Sequence, residues 1–122
     1  MSILIADDEA PIVQLCLKVL QAAGHSVAGV TKGEDALGRL VDESVELLVV
    51  DYKMPSLDGF EVIRRARLLR PTLKIVLMTG HATQTVMAEA QQRKLDGLVI
   101  KPFTPDELHK AVETALAAKK SG

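Results

Sequence analysis

A few polar residues in this chain have types and positions that suggest one piece of chemistry. Asp7 and Asp8 stand side by side near the start, Asp51 closes an apolar run, and Thr79 and Lys101 close two more. A carboxylate such as Asp51 can attack a phosphoryl group and form an acyl phosphate. Three carboxylates brought together repel one another and hold raised pKa values unless a cation neutralises them. The side chains on offer are oxygen donors, so the cation is a hard one, and Mg²⁺ with several waters fits better than zinc. The metal and Lys101 would neutralise charge spread over the transferring oxygens. Thr79 adds a hydroxyl that can bond a phosphoryl oxygen once one is present.

The elements that must position these residues are visible in the apolar pattern. Runs at residues 3–6, 26–30, 47–50, 75–78 and 98–100 are mostly apolar on consecutive positions, as strands covered on both faces are. Between them lie stretches of helical period. In the first, Ile12, Cys16, Val19, Leu20 and Ala23 share one face, and in the last Leu108, Ala111, Val112, Ala115 and Leu116 do. Thr31 with Glu34, and Thr104 with Glu107, have capping-box spacing. Pro105 follows Thr104 where a missing N–H costs nothing. Gly24 stands where a left-handed C-cap wants glycine, and Asp58-Gly59 reads as a turn into the third helix. The result is five βα units in one domain spanning residues 1–122: an α/β fold with a parallel sheet, helices on both faces and right-handed crossovers. The segment 83–94 is the weak helix, with only Val86, Met87, Ala90 and further alanines on a face rich in Gln, Thr and Glu, which makes it the candidate mobile part. Four of the five strands deliver a polar residue to the carboxyl edge of the sheet, where ligands of open α/β folds bind.

Composition limits the alternatives. A chain of 122 residues can bury one real core, here built from Leu, Val, Ile and Ala because aromatics are only 2%. A net charge of −1 gives no reason to expect nucleic-acid binding. Cys16, the single cysteine, excludes an internal disulfide and fits a reducing compartment. The N-terminus lacks the features of a signal peptide, and no apolar run is long enough to span a membrane. The expectation is a soluble cytoplasmic protein without a membrane partner.

Taken together, Asp7-Asp8, Asp51, Met54-Pro55 with Asp58-Gly59, Thr79-Gly80 and Lys101-Pro102-Phe103 resemble, in order and spacing, the receiver domain of two-component response regulators. The resemblance covers nearly the whole chain, from Ile3 to about Leu116. It implies a flavodoxin-like sheet of order 2-1-3-4-5. It also implies that Asp51 accepts a phosphoryl group from a histidine kinase or phosphotransfer protein. Mg²⁺ would be held by Asp7, Asp8, Asp51 and the backbone carbonyl of Lys53, phosphoryl oxygens would be bound by Thr79 and Lys101, and the Lys101-Pro102 bond would be cis. A domain of this kind is not a turnover enzyme and assists only its own phosphoryl transfer and dephosphorylation. Its output would be a changed surface around residues 83–94, Leu98 and 107–116, read by an effector domain or protein or by a phosphorylation-linked dimer. Leu98 stands where the family usually carries an aromatic ring, so the loop after Thr79 must carry more of the signal. Lys53, at a variable family position, has a side chain able to reach an acyl phosphate.

Each residue also has a plainer reading. Asp7 or Asp8 could cap the first helix, Asp51 could be a turn residue, Thr79 a strand-end residue and Lys101 a solvated lysine. Their convergence on one edge favours the functional reading. Cys16 reads as a buried small hydrophobe, His25 and His109 as surface residues, and His81 as an exposed loop residue. Asp42, Glu43, Arg64, Arg65, Arg67 and Arg70 read as solvated, the arginines serving at most as a partner patch. A Mg²⁺-dependent aspartyl-phosphate phosphatase of the haloacid-dehalogenase type is disfavoured, because it needs an aspartate where Lys53 stands. A nucleotide- or flavin-binding domain is disfavoured because no phosphate-binding glycine motif follows the first strand. A receiver-like module working unphosphorylated is disfavoured by the complete acidic set. No stretch reads as an effector domain, and residues 118–122 read as a helix running out into a linker.

Overall fold

Strands that are apolar on consecutive positions need cover on two faces, and the fold supplies it. The structure is a computed structural model that describes residues 2–55 and 57–118. Of the stretch 118–122 read as a helix running out into a linker, residues 119–122 lie outside the described residues. Five strands, β1 (Ser2–Ala6), β2 (Ser26–Val30), β3 (Val45–Asp51), β4 (Lys74–Thr79) and β5 (Gly97–Ile100), alternate with five helices, α1 (Ala10–Ala22), α2 (Gly33–Arg39), α3 (Gly59–Leu69), α4 (Gln84–Gln92) and α5 (Pro105–Ala117). All pairings are parallel, in the order β2-β1-β3-β4-β5.

Alternate residues of each strand enter different cores. Leu4, Leu48, Val50, Ile75 and Leu77 pack with Ala36 of α2, Val62, Ile63 and Ala66 of α3, and Val86 of α4. Ile3, Ile5, Leu47, Val49, Val76 and Met78 pack on the opposite face with Cys16 and Leu20 of α1 and Leu108, Val112 and Ala115 of α5. The strand period of two thus feeds two apolar layers at once. Each fully buried Leu or Ile contributes roughly 1.5–3 kcal/mol relative to exposure.

Local chemistry sets most helix ends. Asp58 caps α3, its Oδ1 accepting the Glu61 N–H at 2.9 Å. Thr104 and Glu107 form a reciprocal capping box on α5, with bonds of 3.1 and 2.8 Å. Gly24 follows α1 with φ +93°, the left-handed conformation its position requires. Thr31 does not form the expected box. Helix α2 starts at Gly33 with Lys32 at the N-cap and no side-chain cap bond. The start is set by packing: Gly33 is buried so closely that a Cβ there would stand 2.8 Å from Val62 Cγ2. Gly59 has a related role, since a Cβ there would lie 2.4 Å from the Asp51 carbonyl oxygen. The turn into α3 is therefore pressed onto the residue that ends β3.

The expectation that four arginines are solvated fails for two of them. Arg70 donates to the carbonyls of Leu40, Asp42, Glu43 and Val45 at 2.7–3.3 Å, tying the end of α3 to the loop before β3. Arg67 donates to the carbonyls of Arg93 and Lys94 beyond α4. Arg64 and Arg65 do face solvent, both paired with Glu61. His25 is also less exposed than expected: its side chain is 13% accessible and its Nε2 lies 2.7 Å from Glu113 Oε1 on α5.

Candidate functional site

The carboxyl edge of the sheet gathers the polar strand ends. Asp51 is the last residue of β3 and Thr79 the last of β4. Asp7 follows β1 and continues its ladder, donating its N–H to Val30 O at 3.2 Å. Lys101 follows β5, its N–H bonded to Thr79 O at 2.8 Å. Asp7 and Thr79 are wholly buried and Asp51 is 5% exposed, whereas Asp8 is exposed. Buried carboxylates need partners, and here the partner is Lys101. Its Nζ lies 2.7 Å from Asp7 Oδ2, 3.2 Å from Asp51 Oδ1 and 3.6 Å from Glu9 Oε1. Asp7 also accepts the Glu9 N–H at 2.9 Å, although Glu9 rather than Asp7 is the N-cap of α1. The Thr79 hydroxyl oxygen accepts the His81 N–H at 2.9 Å.

One ammonium does not balance this much negative charge. Burial, reinforced by the Asp7 carboxylate, pushes Asp51 up to about 6 despite Lys101 beside it. Burial also raises Asp7, against the pull of Lys101 and the Glu9 N–H. Burial disfavours the Lys101 ammonium, but Asp7 and Asp51 outweigh that and hold its pKa above the ordinary value. One oxygen from each of Asp7, Asp8 and Asp51 can be chosen so that all lie within 4.8 Å of one another. Asp7 Oδ2 is fully buried and has the Lys101 charge close by but no aligned hydrogen bond. Raised carboxylates, a converging set of hard oxygens and an orphaned buried lone pair together fit a divalent cation of the Mg²⁺ kind.

The cleft above these groups measures about 280 Å³ and is lined by Asp8, Glu9, Asp51, Tyr52, Lys53, Thr79, Gly80, His81 and Lys101. That volume suits a phosphoryl group with its water and leaves little room for a nucleotide. Lys53 is exposed at the rim. Leu98 is not in the cleft; it is half-buried in β5, against the core shared with α2, α3 and α4. The Lys101-Pro102 bond is cis. Glu9 and Tyr52 were missed as site residues from sequence. Glu9 could have been suspected from the acidic run it extends; Tyr52 gave no signal beyond adjacency to Asp51.

Comparison with known proteins points one way. Residues 3–113 match the family model described as the response regulator receiver domain. The response regulator receiver protein CpdR of Brucella abortus (strain 2308) is 34% identical over 116 residues, covering 95% of this chain and 97% of that protein. The alkaline phosphatase synthesis transcriptional regulatory protein PhoP of Bacillus subtilis (strain 168) is 32% identical over 93% of this chain, but the match spans only 48% of its length. The crystal structure of chemotaxis protein CheY4 of Vibrio cholerae superposes with a TM-score of 0.88 at 26% identity, covering 93% of this chain and 97% of that one.

Proposed function

The chain belongs to the response regulator receiver family, and from that premise we propose that it is a switch operated by phosphorylation of Asp51. Membership makes it a regulatory domain of two-component signalling rather than a turnover enzyme. The observation that carries the proposal is the convergence of Asp51, Asp7 and Lys101 on one buried point at the strand ends.

In the proposed reaction an Asp51 carboxylate oxygen attacks the phosphorus of a phosphohistidine on a sensor kinase or phosphotransfer protein. A P–O bond forms, the P–N bond breaks, and the leaving imidazole takes up a proton. Asp51 must be ionised to attack, and Lys101 keeps that form accessible in a buried place. The Lys101 ammonium then neutralises phosphoryl oxygens, and the Thr79 hydroxyl donates to one of them. Asp7, Asp8, Asp51 and the Lys53 carbonyl would hold Mg²⁺, which when bound would screen the repulsion between carboxylates and phosphoryl oxygens. Drawing Thr79 toward the phosphoryl group strains its bond to the His81 N–H, so the loop after β4 changes. That alters the surface formed by α4, β5 with Leu98, and α5. An effector protein, an appended effector domain, or a second copy of the chain reads the change. The same reading takes residues 1–122 as one receiver domain acting in the cytoplasm.

Acetyl phosphate with Mg²⁺ is the direct test. Intact mass should gain one phosphoryl group in the natural chain and none in Asp51→Asn, and sizing before and after should reveal any dimer. No adduct, or an adduct that survives Asp51→Asn, would overturn the proposal. Steady turnover of a generic phosphate monoester would favour the phosphatase instead.

A further inference from the structure

We propose that His25, His109 and Glu113 form a metal site for an ion of the Zn²⁺ class, separate from the aspartate cluster and at the opposite end of the sheet. The site stands independently of phosphorylation at Asp51.

The three residues come from two elements. His25 lies in the turn between α1 and β2, so it sits at the amino edge of the sheet, whereas Asp51 ends its strand at the carboxyl edge. His109 and Glu113 are one turn apart on α5, a spacing that puts two side chains on one face. His25 Nε2 stands 2.7 Å from Glu113 Oε1, and His109 Nε2 stands 3.4 Å from that same oxygen. Two imidazole nitrogens therefore face one carboxylate oxygen. A hydrogen-bonded clasp between the turn and the helix needs only the first of them. At 3.4 Å the second is past the usual length of an N–H···O bond. Donor atoms around a tetrahedral ion with bonds of about 2.0–2.1 Å sit about 3.3 Å apart. The two observed separations bracket that value.

The frame is rigid where such a site needs it. Cys16 and Leu20 of α1 share a buried core with Leu108, Val112 and Ala115 of α5, which fixes the two helices against each other. Gly24, at φ +93°, turns the chain out of α1, and the His25 N–H then donates to Leu20 O at 3.0 Å. The His25 side chain is half-buried, so its ring is held before any ion arrives. His109 and Glu113 are exposed on α5. That leaves an ion an approach from solvent, and rotation of the exposed His109 side chain completes the closure. Two imidazole nitrogens and one carboxylate oxygen suit Zn²⁺ and not Mg²⁺, which prefers oxygen donors alone. Three protein ligands leave the fourth position of a tetrahedral ion to water. A bound ion would tie the α1–β2 turn to α5 and stabilise the folded domain by mass action, away from the phosphoryl cleft.

The test is a titration of the full chain with zinc chloride, Mg²⁺ being kept in excess, followed by calorimetry, by NMR of the histidine rings and by urea unfolding. The ring signals of His25 and His109 should shift together while those of His81, which lines the phosphoryl cleft, stay in place. The urea midpoint should rise with zinc. His25→Ala and His109→Ala should each weaken zinc binding at least ten-fold, since removing a group one shell beyond the ligands already costs about 10–100-fold. His109 is exposed, so His109→Ala should keep the metal-free urea midpoint and lose only its rise with zinc, which decides the matter should His25→Ala fail to fold. An unchanged zinc response in His109→Ala would overturn the site. So would zinc shifts confined to His81 and the aspartates near it, or no response to zinc at all, which would leave the three residues a hydrogen-bonded clasp only.

Discussion

Helices α4 and α5 flank the same edge strand and are built by opposite rules. Helix α5 places Leu108, Val112 and Ala115 in the core shared with α1. It is closed at its start by the Thr104–Glu107 box, and Lys74 of β4 donates to the carbonyls of Leu116 and Ala118 at its end. Helix α4 buries only Val86, and its C-terminal fastening is polar. Burial at several positions is cooperative with the whole fold, whereas a helix with one buried side chain can open locally. The contrast therefore separates a helix that unfolds with the domain from one that can move inside a folded domain.

The largest effects should fall on the α5 side. Leu108→Ala removes a wholly buried side chain and should lower unfolding free energy by about 2–5 kcal/mol. Val86→Ala, losing two methyl groups from a helix with no other buried residue, should cost about 1–2 kcal/mol. Urea unfolding of both variants measures this. Comparable losses would mean that α4 is as integral to the fold as α5, and the contrast would fail.

The charged strand ends at the carboxyl edge of the sheet give the next largest effect. The native pKa of Asp51 lies near 6, above the ordinary 3.8, because burial disfavours its charge. Between those values the native state binds a proton that the unfolded chain has already lost. Stability from this group is thus fully present below pH 3.8 and is lost as pH rises through 6. Asp51→Asn should therefore stabilise the metal-free domain by about 1–2 kcal/mol at pH 7 and by little at pH 4. Urea midpoints of the two proteins across that range measure it. Mg²⁺ should stabilise the natural chain at pH 7 more than the variant. An Asp51→Asn protein less stable than the natural one at pH 7 would mean that Lys101 over-compensates the cluster.

How much of this could be read from residues alone depends on the range of the interaction. The βα alternation was legible because two-sided burial makes the strands nearly continuous in apolar residues, as in Leu47, Leu48, Val49 and Val50. The strand-end positions of Asp51 and Thr79 followed from that. The order β2-β1-β3-β4-β5 came from resemblance, since apolar pattern does not distinguish neighbours in a sheet. Arg67 and Arg70 were misread because their acceptors are backbone carbonyls 25–30 residues away in sequence, which carry no residue-type signal. Thr31 had the right spacing for a cap, but Gly33 packing against Val62 moved the helix start past it. The contact of Arg93 over the Phe60 ring was equally invisible.

The smallest effect gives the most discriminating comparison, because it applies one chemical change to both helices. Thr83 and Thr104 each cap with a hydroxyl that accepts the N–H of the helix's third residue, at 3.2 and 3.1 Å. Removing such a cap costs about 1 kcal/mol where the turn must stay formed. The loss cannot exceed the free energy that holds the turn closed, because the native state can let the turn open instead. Thr104→Ala should therefore show the full loss in global unfolding, with α5 amides protected until the domain unfolds. Thr83→Ala should show a smaller global loss and faster exchange confined to residues 84–88, since the turn it caps opens first. Equal global losses from the two substitutions, with no local exchange at α4, would show that the first turn of α4 is held as firmly as that of α5.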